Sequence, residues 1–79
     1  MSNHEIRSEI PGTFYRSSSP GAPPMKEDGD AVAAGEAIGL IEVMKTFQEV
    51  RSEYSGTITF AADNDEPVMP GQLIAEVKE

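Results

Sequence analysis

The sequence predicts an all-β domain, a flattened β-barrel or sandwich whose two halves are related by a pseudo-twofold axis. Three observations predict it: the second half of the chain repeats the first, turn residues cut both halves into short segments, and prolines at 11, 20, 23, 24, 67 and 70 confine any long helix to the stretch from Gly29 to Glu66. Neither half could cover its own apolar face alone, so the two are expected to pack against each other.

The repeat comes in two blocks. Arg7-Ser8-Glu9-Ile10-Pro11-Gly12-Thr13-Phe14 aligns with Arg51-Ser52-Glu53-Tyr54-Ser55-Gly56-Thr57-Ile58, keeping Arg, Ser, Glu, Gly and Thr in register. Val32-Ala33-Ala34-Gly35-Glu36-Ala37-Ile38 aligns with Val68-Met69-Pro70-Gly71-Gln72-Leu73-Ile74, each block preceded by an acidic turn. The spacing between blocks is eight residues longer in the first half, and the surplus coincides with Ser17 to Pro24. A Ser-Pro-Gly-rich segment inside a closed repeat must be a surface excursion, so an inserted loop is expected over 17–24. Gly12 and Gly56 mark points of positive φ or close backbone approach.

Periodicity leaves one segment open. Leu40, Ile41, Met44 and Phe47 fall at helical spacing, whereas Ile41, Val43, Phe47 and Val50 suit a strand. The repeat favours strands: Gly35 to Val43 copies Gly71 to Glu79, and the second copy of the opening block starts soon after. The halves therefore join near Val43 to Thr46 in a tight reversal, with Lys45 at its tip. Met-Lys lacks the Asn-Gly or Asp-Gly preference of a two-residue hairpin, and local rules broken without structural gain tend to be broken at functional sites.

Composition excludes several classes. Fourteen acids against six bases give a formal charge of −8, which repels phosphate backbones and anionic lipid; neither nucleic acid nor membrane is expected as a partner. The absence of cysteine removes disulfides and thiolate chemistry. No apolar run approaches the roughly 20 residues of a membrane span, and Met1 to Glu9 does not resemble a secretory signal, so a cytoplasmic location is expected. Asp28 with Asp30, and Asp63 with Asp65, have the look of calcium ligands. The register fails, since the loop from Asp63 places Val68 where an EF-hand needs glycine, and these residues read as turn acids. No metal site follows. His4 has no visible partner, and no catalytic constellation is marked.

Glu42-Val43-Met44-Lys45 resembles the Glu-Ala-Met-Lys motif of biotinyl domains, and Pro11-Gly12-Thr13-Phe14-Tyr15-Arg16 followed by Ser-Pro is similar to the start of the bacterial acetyl-CoA carboxylase carriers. The match covers nearly the whole chain, as a domain over 4–79 after a frayed start at 1–3. It departs from the pattern at Val43, where alanine is usual, and at Thr46, where methionine is usual. The resemblance implies a barrel-sandwich hybrid of two four-stranded antiparallel sheets, with 17–24 as a thumb-like insertion near the cofactor.

It further implies that a biotin protein ligase joins biotin to Lys45 through an amide, with Glu42 and Met44 contributing to hairpin recognition. The chain would then be a non-catalytic carrier subunit in fatty acid biosynthesis, taking carboxybiotin from a biotin carboxylase to a carboxyltransferase. The chemistry suits lysine: a primary amine can be acylated, and its four-carbon stem in series with biotin's valeryl chain gives a tether of roughly 12 to 14 Å, from bonds of about 1.5 Å. Tethering raises the effective concentration at each partner site, so no catalytic group is needed on the carrier. Two rivals remain: a lipoyl carrier domain, against which Met44 speaks because an acidic neighbour is expected there, and an unmodified lipoyl-like interaction module.

Overall fold

The structure, a computed structural model, describes residues 3–18 and 21–79. Eight strands follow in order: β1 (Asn3–Arg7), β2 (Gly12–Tyr15), β3 (Ala31–Val32), β4 (Ala37–Val43), β5 (Thr46–Arg51), β6 (Gly56–Phe60), β7 (Glu66–Val68) and β8 (Leu73–Lys78). They form two four-stranded antiparallel sheets, ordered β1-β8-β6-β3 and β5-β4-β2-β7. The segment that periodicity left open is strand on both sides of a turn, and the described residues contain no helix. None is therefore long and apolar enough to cross a membrane.

The sheet orders carry the repeat. Exchanging β1 with β5, β2 with β6, β3 with β7 and β4 with β8 turns one sheet into the other, so each half of the sequence contributes two strands to each sheet. The sheets stay open at their edge strands, which makes the molecule a flattened sandwich, 38 × 26 × 19 Å, rather than a closed barrel.

The core is filled by repeat mates. Phe14 and Ile58, Val32 and Val68, Ile38 and Ile74, and Ile41 and Val77 are all buried. Where mates differ in size, a neighbour compensates. The Phe14 ring occupies the space a side chain would need at Gly39, 2.6 Å from where its Cβ would stand. In the other half the smaller Ile58 accompanies Ala75, the mate of Gly39. Large-with-small pairing of this kind keeps a small core at native density.

Polar mates are conserved as structure too. Buried Ser8 and Ser52 donate their hydroxyls to the carbonyls of Ile10 and Tyr54. Their backbone N–H groups donate to Gln72 and Glu36, each at 2.9 Å. Arg7 and Arg51 donate to the carbonyls of Gly71 and Gly35, each at 2.7 Å. The serine bonds satisfy backbone groups in buried corners that water cannot reach, and the arginine bonds do the same at the surface. Side chains in the turns have the same duty. Asp28 accepts from the Phe60 N–H and Asn64 from the Arg16 N–H, while Asp30 and Glu66 accept from Glu27 and Asp63.

His4 departs from the sequence reading. Its ring stacks on Tyr54 with centroids 3.7 Å apart and bonds to the Glu79 carboxylate. The partners lie far along the chain, Glu79 brought in by β1 pairing with β8, so local sequence could not show them. Of the fraying expected over 1–3, residues 1 and 2 lie outside the described residues, and Asn3 pairs with Lys78.

Candidate functional site: the β4–β5 hairpin

β4 and β5 pair from Ala37↔Arg51 to Val43↔Thr46, leaving Met44 and Lys45 as a two-residue turn. Both have positive φ, 51° and 67°. That is the conformation of a type I′ turn, whose hand matches the twist of the flanking strands and which ordinarily selects Asn and Gly. Holding two side-chain-bearing residues there costs roughly 1 to 2 kcal/mol each. The paired strands impose it on the two residues at the tip.

The outcome is a displayed lysine on a stiff base. Lys45 is exposed, and among the described residues its amine enters no hydrogen bond or ion pair. Met44 beside it is 92% exposed, far from the filler role methionine usually has in a core. The other lysines differ. Lys26 Nζ is tied to Glu36 at 2.8 Å and to the Ala31 carbonyl at 2.9 Å. Lys78 lies within β8, paired to Asn3 on one side and Thr57 on the other. Lys45 thus combines a place at a turn with an exposed amine that enters no bond among the described residues.

Glu42 stands on the outer face of β4, short of the tip. It pairs with Phe47 on β5 and Thr13 on β2, and its Oε1 accepts the Tyr15 hydroxyl at 3.0 Å. That bond first, then burial and the charges of Glu42 and Asp65, hold the Tyr15 pKa above its ordinary value. Tyr15 therefore remains a donor. Its ring lies 6.2 Å from that of Phe47, which is 57% exposed. The chain leaves β2 at Tyr15 into the 17–24 insertion, of which residues 19 and 20 lie outside the described residues. Ser17 bridges Pro24 and the Met25 N–H donates to the Arg16 carbonyl at 2.7 Å, which closes the stem. Ser17, Ser18, Gly21 and Ala22 form one wall of a cleft whose floor holds Leu40, Tyr15 and Phe47.

The structure thus brings Met44 and Lys45 together at the tip and sets Glu42 beneath them with Tyr15 and Phe47, two residues that motif reasoning did not single out. A signal was present. The repeat holds through the buried positions but fails here, with Thr59 as mate of Tyr15, Lys78 of Glu42 and Asn3 of Phe47.

Residues 4–77 match the Biotin_lipoyl family, described as "Biotin-requiring enzyme". The chain belongs to this family. Among its relatives, the biotin carboxyl carrier protein of acetyl-CoA carboxylase 1, chloroplastic, of Arabidopsis thaliana is 39% identical over 64 residues, 80% of this chain and 23% of that protein. The biotin carboxyl carrier protein of acetyl-CoA carboxylase of Nostoc sp. is 36% identical over 75 residues, 94% of this chain and 41% of the relative. That of Haemophilus influenzae is 37% identical over 65 residues, covering 82% and 42%. The chain therefore spans less than half the length of these relatives. In structure, the urea carboxylase of Kluyveromyces lactis matches 99% of this chain and 6% of its own length, with a TM-score of 0.78 and 28% identity. Biotin is the cofactor that this family places on such a domain.

Proposed function

We propose that this chain is the carrier domain of a biotin-dependent carboxylase of the acetyl-CoA carboxylase type, with biotin joined covalently to Lys45. The observation that carries the reading is the lysine's position at a two-residue turn with both residues at positive φ. It supports attachment because a locally unfavourable turn is retained where the amine must project. The relatives' names support the carboxylase.

The domain's own contribution is mechanical. Acylation of the amine replaces a charged end by a neutral amide, so the tether has no ionic reason to fold onto the acidic surface. The hairpin ladder fixes the anchor, and motion is left to the single bonds of the lysine stem and what it bears. When bound, biotin supplies a ureido nitrogen that accepts and gives up a carboxylate. The two transfers belong to a biotin carboxylase and a carboxyltransferase, and the attachment to a biotin protein ligase that reads the folded hairpin with Glu42 and Met44. The domain itself works as a carrier without catalytic groups.

Co-expression with a biotin protein ligase, followed by intact mass measurement and peptide mapping, tests the reading. A single biotinyl adduct on Lys45 is expected. A lipoyl adduct after co-expression with a lipoate ligase would move the domain to the lipoyl carriers, and failure to accept either group would leave it an interaction module.

A further inference from the structure

The internal repeat acts as a control for the functional end of the molecule. Several positions that serve the fold have a mate serving the same purpose in the other half, as Ser8 and Ser52 or Arg7 and Arg51 do. Tyr15 and Glu42 have no such counterpart: their mates, Thr59 and Lys78, make no hydrogen bond to each other among the described residues. The Tyr15–Glu42 bond is thus an addition to one sheet, and that sheet carries the Met44-Lys45 turn.

The bond also does something specific to Glu42. A glutamate on the outer face of a strand has three free torsions and ordinarily wanders. Here the Tyr15 hydroxyl holds Oε1 at 3.0 Å, and the Tyr15 ring is itself braced 6.2 Å from Phe47. One carboxylate oxygen is engaged and the other is left to a partner.

We infer that Tyr15 is a positioning residue for attachment of the cofactor: by hydrogen bonding Glu42 it presents that carboxylate, in one orientation beside the Lys45 turn, to the acylating ligase. The inference rests on the carrier reading above. Tyr15 touches neither the amine nor the cofactor, so it acts through the enzyme's grip on the carrier and leaves the acyl transfer step alone.

Steady-state biotin transfer with the carrier concentration varied tests this on the whole chain as unaltered protein, Tyr15→Phe, Glu42→Gln, the double variant, and Thr59→Ala as the control at the mate. Tyr15→Phe keeps the ring and removes only the hydroxyl. It is expected to raise KM for the carrier by about tenfold, the lower end of the scale of one lost hydrogen bond to a charged group, with kcat unchanged. The double variant should be no worse than Glu42→Gln alone, because the hydroxyl works only through that carboxylate, and Thr59→Ala should match the unaltered chain. Thermal melts of the same samples show whether Tyr15→Phe remains folded at the assay temperature. An unchanged KM in folded Tyr15→Phe, a fall in kcat instead, or multiplying effects in the double variant would each overturn the inference while leaving the carrier reading intact. Absence of labelling on the unaltered chain would overturn both.

Discussion

The guanidinium of Arg16 lies 4.3 Å above the centre of the Phe60 ring, and the two residues occupy the same position in the two halves of the repeat. The contact therefore joins the halves across their pseudo-twofold axis. Arg16 also donates through Nη2 to the Lys26 carbonyl at 3.3 Å, and its own carbonyl accepts from Met25. One side chain thereby ties both stems of the 17–24 insertion to the far sheet.

Arg16→Lys should weaken this tie even though the charge is kept, because an ammonium cannot stack as a plane or reach the Lys26 carbonyl in the same geometry. A loss of roughly 1 kcal/mol is expected, with a coupling to Phe60→Leu of about 0.5 to 1 kcal/mol in a double-mutant cycle. Amide exchange at Met25 should quicken. Simple additivity in urea denaturation would show that the stacked pair contributes nothing.

The hairpin predicts a conflict between stability and modification. Replacing Met44 by Asn and Lys45 by Gly supplies the residues a type I′ turn prefers, and should raise unfolding free energy by roughly 1 to 2 kcal/mol. The same change removes the amine, so labelling with biotin should vanish. Lys45→Arg separates the two effects: it retains a positively charged chain in the same backbone conformation, so its melting temperature should match the parent while labelling is lost. Labelling of Lys45→Arg at Lys26 or Lys78, or a stability unmoved by the Asn-Gly turn, would contradict the account.

The parts of the fold legible in the sequence were those that the repeat writes twice. Phe14 with Ile58 and Ile38 with Ile74 align in the repeat and are buried together, and the break in spacing located the insertion. The place of Lys45 at a turn was legible because the junction of two copies must be a reversal. What could not be read depended on contacts across sheets. His4 meets Tyr54 only once β1 takes its place at the edge of its sheet, and Arg16 meets Phe60 only once the halves close. Tyr15 and Glu42 lie on neighbouring strands in a register set by the ladder, where Thr13 faces Glu42. Their bond is diagonal, a relation that sequence spacing does not encode.

The paired serines predict unequal losses. Ser52 both donates to the Tyr54 carbonyl at 2.6 Å and accepts from the Tyr54 N–H at 3.1 Å, whereas Ser8 makes only the donor bond, to Ile10. Ser52→Ala leaves two backbone groups without their partner in a buried corner and should cost about 1 to 3 kcal/mol; Ser8→Ala should cost about half as much. Urea midpoints compared at constant slope check the ranking, and a larger loss at Ser8 would show that the hydroxyl bonds do not set it.

The acid side of the stability curve depends on Glu36. Its carboxylate accepts from Lys26, which is the main reason its pKa lies below the ordinary glutamate value, and the Ala33 N–H adds a second bond. A carboxyl whose folded pKa is depressed stabilises the fold fully above the unfolded value, about pH 4.3, and loses that contribution as pH falls through the lower folded value. The repeat supplies the matched variant. Gln72, the mate of Glu36, accepts from the Met69 N–H at 3.0 Å in the same way, so Glu36→Gln should keep the turn bond and remove only the charge. The melting temperature of the parent should therefore fall more steeply than that of Glu36→Gln as pH is lowered through the carboxylate range, and the two curves should converge at the acid end. Parallel curves would show that the Lys26–Glu36 pair has no part in acid sensitivity. Because both groups keep some contact with solvent, molar salt should narrow the gap at neutral pH.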